Sequence, residues 1–88
     1  MTDWMEKANA QKDDYLKDLT TLVKIPSVRD DSQATADAPL GSGPAKALHA
    51  FLEMAKKDGF RTKNIDNVVG YAEWGEGDET VAILAHLD

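Results

Sequence analysis

Two residues near the end of the sequence, His86 and Asp88, carry side chains suited to metal chemistry, and they stand two positions apart. In an extended strand that spacing sends both side chains to the same face. A neutral imidazole is a good zinc ligand, and a carboxylate beside it orients the ring and raises its basicity. The spacing alone also fits a capped strand end, so the surrounding elements have to decide. Other candidates carry less. His49 lies between Leu48 and Ala50, on the side of a helix turned away from its apolar stripe, as a solvated surface histidine would. Asp13-Asp14 and Asp30-Asp31 could share a proton or hold a cation, but neighbours on a helix diverge in direction, and solvated charge is the better reading. Gly41-Ser42-Gly43 precedes a helix, as an anion cradle would, yet lacks the lysine and full spacing of a phosphate loop, so it reads as a turn and cap. Trp4 and Trp74 read as packing residues rather than ligand platforms.

The element that must position His86 and Asp88 is the run just before them. Within residues 80–85, Val81-Ala82-Ile83-Leu84-Ala85 is continuously apolar, which predicts a buried central strand. Strands apolar on both faces belong to sheets covered by helices, so the expected class is α/β, with helices packed on a mixed β-sheet. Open sheets of this class bind ligands at the carboxyl ends of their strands, where His86 and Asp88 fall. Upstream, residues 68–74 form a second strand candidate, closed by the turn Gly75-Glu76-Gly77-Asp78. Residues 61–65 read as a polar edge strand, and Asp66-Asn67 as the turn between the two.

Helices account for most of the remainder. Tyr15, Leu16, Leu19, Leu22 and Val23 form one apolar stripe over residues 13–24, and Pro26 ends that helix near Lys24. Residues 27–43 have few large apolar groups and read as a long loop, of a length that is uncommon in a compact domain unless it serves a site or a partner. A second helix is firmly punctuated: Gly43 and Pro44 at its start, Leu48, Phe51, Leu52 and Ala55 on one face, Lys56 and Lys57 in the last turn, Gly59 beyond. Phe60 is placed to fold back on the last turn. Three strands and two helices leave one sheet face bare, and the last strand needs neighbours on both sides. Residues 1–88 are therefore expected to be the N-terminal segment of a single larger domain.

Composition bounds the partners. The 88 residues are 42% hydrophobic and 30% charged, an ordinary globular profile. A net charge of −6 repels nucleic-acid phosphates and anionic lipid. The absence of cysteine excludes disulfides, thiolate nucleophiles and cysteine-type zinc sites, and fits a cytoplasmic address. Met1 to Glu6 lack the basic start and apolar core of a signal peptide, and no apolar run approaches the length needed to span a bilayer.

Taken in order, several motifs resemble a known family. Leu19-x-x-Leu22-Val23-x-Ile25-Pro26-Ser27-Val28, a helix ending in Gly59-Phe60, Asn67-Val68-Val69-Gly70, and an apolar strand closing with His86-Leu87-Asp88 look like the start of the aminoacylase and carboxypeptidase family of co-catalytic zinc hydrolases. More narrowly, Ala38-Pro39-Leu40-Gly41-x-Gly43-Pro44-x-Lys46-Ala47-Leu48 and Asp58-Gly59-Phe60-x-Thr62-Lys63-Asn64-x-Asp66-Asn67 resemble the PepV-type bacterial dipeptidases. The resemblance implies the N-terminal part of a zinc-exopeptidase-like catalytic domain that hydrolyses unmodified dipeptides with two zinc ions. His86 would match the first metal ligand and Asp88 the catalytic carboxylate that steadies it. In two-metal sites ions about 3.5–4 Å apart polarise the scissile carbonyl and activate a water. The general-base glutamate, the bridging aspartate and the other ligands of the family lie beyond position 88, so the 88 residues alone are expected to be inactive. Two other readings stand beside it: an amino-acid deacylase of the same family, and a non-catalytic acidic binding module in which His86 and Asp88 merely end a strand.

Overall fold

The computed structural model describes residues 3–88. Its elements in chain order are α1 (Asp3–Ala10), α2 (Lys12–Val23), a short 3-10 turn (Asp31–Gln33), α3 (Ser42–Lys57), β1 (Arg61–Ile65) and β2 (Val69–Glu73). The α/β class is as expected. The helical signal of residues 13–24 appears as α2, and the chain before it forms a separate helix, interrupted at Gln11.

The core belongs to α3. Ala45, Ala47, Leu48, Leu52 and Ala55 are the buried hydrophobic residues among those described, and all five sit on this helix. Its start is set by Gly41, which takes φ 103° at the N-cap position, with Pro44 in the first turn where the missing N–H costs nothing. Its end is a Schellman motif: Phe60 N–H donates to the Ala55 carbonyl at 3.0 Å and Gly59 N–H to the Lys56 carbonyl at 3.1 Å. Gly59 takes φ 95°, the left-handed geometry that this motif requires. Lys56 and Lys57 place positive charge on the carboxyl end of the helix.

β1 and β2 form an antiparallel hairpin, with Thr62 opposite Ala72 and Asn64 opposite Gly70. Asp66 and Asn67 have φ 58° and 57°, the paired positive values of a type I′ turn, and Val68 N–H donates to the Ile65 carbonyl across it. Asp and Asn tolerate this geometry best after glycine. One face of the hairpin lies on α3. A methyl group on Gly70 would come 2.9 Å from the Lys63 carbonyl oxygen across the hairpin and 3.0 and 3.1 Å from methyls of Leu48 and Leu52, so a larger residue here would force the hairpin or the leucines to shift. The other face, with Ile65, Val69 and Tyr71, is exposed. Arg61 grips the exit from β2, donating to the Gly75 carbonyl at 2.7 Å and pairing with Glu73 and Glu76.

Residues 80–85 depart from expectation. They form no strand, and Val81, Ile83 and Leu84 are 93%, 92% and 96% exposed. A backbone that is apolar on both faces needs strands beside it and helices above and below, and the described residues supply neither. The sheet is consequently a two-stranded antiparallel one rather than mixed. The stripe on α2 is likewise uncovered, with Tyr15, Leu16, Leu19 and Val23 exposed, and Phe51 only partly covered. Trp4 and Trp74, read as packing residues, are also exposed, because no apolar layer reaches them. The shape follows: the radius of gyration is 15.2 Å, against about 12 Å for a compact domain of this length.

The loop of residues 27–41 is held by its own backbone. Asp30 N–H donates to the Leu40 carbonyl, Thr35 and Ala38 exchange hydrogen bonds, and Gly41 N–H returns to the Ala38 carbonyl. Where it leaves α2, the chain runs hard against α3: a methyl on Gly43 would sit 1.9 Å from the Pro26 carbonyl oxygen.

Two measurements check this architecture. Gly43→Ala must push Pro26 off α3, and is expected to cost about 1–3 kcal/mol in urea unfolding, as overpacking does; an unchanged midpoint would contradict the close approach. The 88-residue chain is expected to self-associate through its uncovered apolar groups, and Ile83→Lys with Leu84→Glu to shift it toward monomer in light scattering. A monodisperse monomer of the unaltered chain would refute that.

Candidate functional site

His86 and Asp88 come together without the strand that was expected to align them. His86 Nδ1 lies 3.2 Å from Asp88 Oδ1. The His86 side chain is 91% exposed, so the Nε2 edge of its ring faces solvent. With Nδ1 carrying the proton toward the carboxylate, the lone pair stays on Nε2, the tautomer in which that nitrogen can bind a cation. The pair borders a cleft of about 380 Å³, whose lining includes Arg29, Leu48, Val69 and Leu87.

The segment carrying the pair is anchored at one point. The Ser27 hydroxyl, part-buried, donates to the Leu87 carbonyl at 2.6 Å. Sequence reading placed Ser27 in a motif but gave it no task, since a hydrogen bond across 60 positions leaves no local trace. Arg29 was also passed over. It borders the same cleft and pairs with Asp31 at 2.8 Å in an exposed ion pair.

The remaining candidates have structural work. Asp30 accepts from Ser32 N–H at 3.0 Å and from its hydroxyl, capping the 3-10 turn. Asp13 and Asp14 occupy the first turn of α2, where negative charge suits the helix dipole. Gly41-Ser42-Gly43 is the turn into α3, as read from sequence. His49 is exposed, and its Nε2 lies 2.8 Å from Asn67 Oδ1. Asn67, a motif and turn residue in the sequence reading, is also a junction: its Oδ1 accepts from Asn64 Nδ2 at 2.6 Å, and its Nδ2 donates to the Asp37 carbonyl. It ties hairpin, helix and loop together.

A zinc ion, the group the sequence motifs imply, needs nitrogen or carboxylate donors converging on one point. Among the described residues no group of three or more His, Asp or Glu side chains converges. The donors present fit one ligand and the carboxylate behind it.

No protein-family model matches the chain. It is similar to proteins carrying the name "Putative dipeptidase". It is 45% identical over 85 residues to one from Staphylococcus aureus strain USA300 and to one from strain NCTC 8325, and 44% identical to one from Staphylococcus epidermidis strain ATCC 12228. Each alignment covers 97% of this chain, and the chain spans 18% of the length of the curated relatives it matches.

The tautomer is directly measurable. In 15N-resolved NMR of the neutral ring, His86 is expected to carry its proton on Nδ1, and Asp88→Ala to move the population toward Nε2–H. Identical spectra for the two chains would show that the carboxylate does not hold the ring.

Proposed function

We propose that this chain is the N-terminal segment of a zinc-dependent dipeptidase, contributing part of the catalytic domain and one metal ligand. The observation that carries the reading is the His86–Asp88 pair, whose Nδ1 side is engaged by the carboxylate and whose Nε2 edge is open beside a cleft. Similarity along nearly the whole chain to proteins named as dipeptidases supports the same reading.

When bound, zinc supplies Lewis-acid polarisation of a peptide carbonyl and a water acidic enough to attack it near neutral pH. The chain's own residues serve that chemistry by placement. His86 presents Nε2 as a donor atom for the metal, and Asp88 accepts a hydrogen bond from Nδ1–H, which holds the ring in that tautomer. Leu48 and Val69 give the cleft an apolar wall, suited to the side chain of a short peptide. The general base and the remaining ligands belong to residues outside 1–88, so the segment alone binds no complete site and hydrolyses nothing.

The test uses the full-length protein that carries this segment, with a simple unmodified dipeptide as substrate. Hydrolysis is expected to vanish on chelation and return with zinc. His86→Ala is expected to lower it at least about a hundredfold, and Asp88→Asn about 10–100-fold, through metal affinity. Cleavage that ignores the chelator, or an unaltered rate in His86→Ala, would overturn the reading. Preference for an N-acyl amino acid over a dipeptide would replace it with the deacylase.

A further inference from the structure

We infer that Ser27 is a positioning residue for the His86–Asp88 pair, acting through the carbonyl of Leu87; the inference rests on the dipeptidase reading above. The Ser27 hydroxyl donates to the Leu87 carbonyl at 2.6 Å, and Leu87 is the residue between the two site residues. That carbonyl belongs to the peptide plane leading into Asp88, so holding it sets where the Asp88 backbone departs and how its carboxylate meets the His86 ring.

Three observations give this bond its weight. Residues 77–88 have no secondary structure, and among the described residues no other hydrogen bond joins them to the rest of the chain. The bond is part-buried, while the His86–Asp88 contact it supports is exposed and therefore weak on its own. Ser27 itself has little freedom: its neighbour Pro26 lies with its carbonyl against Gly43, and the Ser27 Cα is 3.3 Å from where a Gly43 methyl would be. The first turn of α3 thus seats the residue that seats the site. A hydroxyl at this position is a donor aimed at a backbone acceptor, a task that threonine can perform and valine, threonine's isostere, cannot.

The test measures zinc affinity in the full-length protein by competition with a chromophoric chelator, for the wild type, Ser27→Thr, Ser27→Val and His86→Ala, with thermal melts alongside. Ser27→Val is expected to bind zinc roughly fivefold more weakly than the wild type, and Ser27→Thr within twofold of it, with melting temperatures of the two variants alike. Equal affinity in Ser27→Val and the wild type, while His86→Ala is weakened, overturns the role of Ser27 and leaves the dipeptidase reading standing. A wild type that binds no zinc, or a His86→Ala that binds it undiminished, overturns the dipeptidase reading and this one with it. Should Ser27→Val not fold, Ser27→Ala, which cannot overfill the site, replaces it in the comparison. If neither folds while Ser27→Thr does, the hydroxyl holds the fold rather than the ligand, and the inference fails.

Discussion

The close approach of Gly43 to the Pro26 carbonyl is the constraint on which the placement of the candidate site depends. It joins two elements that otherwise touch only lightly, the end of α2 and the start of α3. Proline stops α2 and turns the backbone out of helical geometry, and glycine removes the one atom that would hold the two backbones apart. Ser27 follows directly, and its hydroxyl is thereby presented to Leu87. Three sequence features, the helix breaker Pro26, the hydroxyl of Ser27 and the missing side chain of Gly43, thus fix a position sixty residues beyond Ser27.

What was legible in the sequence was local. Gly59 beyond Lys57 announced the end of α3, Asp66-Asn67 a turn, and Pro26 the end of α2, because each is a backbone geometry that few residue types tolerate. His86 and Asp88 stand two positions apart, so their contact needed no distant partner, although the strand invoked to align them is not formed. What was illegible depends on partners distant in sequence or outside it. Residues 80–85 read as a central strand because their composition is that of one, and composition does not say whether neighbouring strands are at hand. Trp4 and Trp74 were misjudged similarly. Ser27 and Asn67 lie in stretches of ordinary polar composition, and their roles exist only once helix, loop and hairpin have been brought together.

The uncovered surfaces form a pattern. α3 and one face of the hairpin are matched closely enough that Gly70 cannot be enlarged, yet the opposite face of the hairpin, the stripe of α2 and the run before His86 all present large apolar groups to water. Apolar area costs free energy wherever it stays wet, and a short chain has few ways to hide it. The described residues therefore contain one finished interface and several unfinished ones. The proposed half-site at His86 is unfinished in the same sense: an imidazole and a carboxylate meet there, and among the described residues no further donor converges on them.

The hydrogen bond from Ser27 to Leu87 also carries a consequence for the order of assembly. Closing a loop between them in an otherwise unstructured chain would span 60 positions. Once Pro26 has packed against Gly43 and the hairpin has docked on α3, the unfixed stretch is only the fourteen positions from Glu73 to Leu87. The entropy of loop closure falls by roughly 1.3 kcal/mol between those two lengths, which is about what a single hydrogen bond contributes. The contact thus forms more readily after the hairpin docks than before it, by about that amount. Because α3 and the hairpin rest on contacts near in sequence, loop entropy favours their forming first, with the segment that carries His86 and Asp88 settling onto them afterwards.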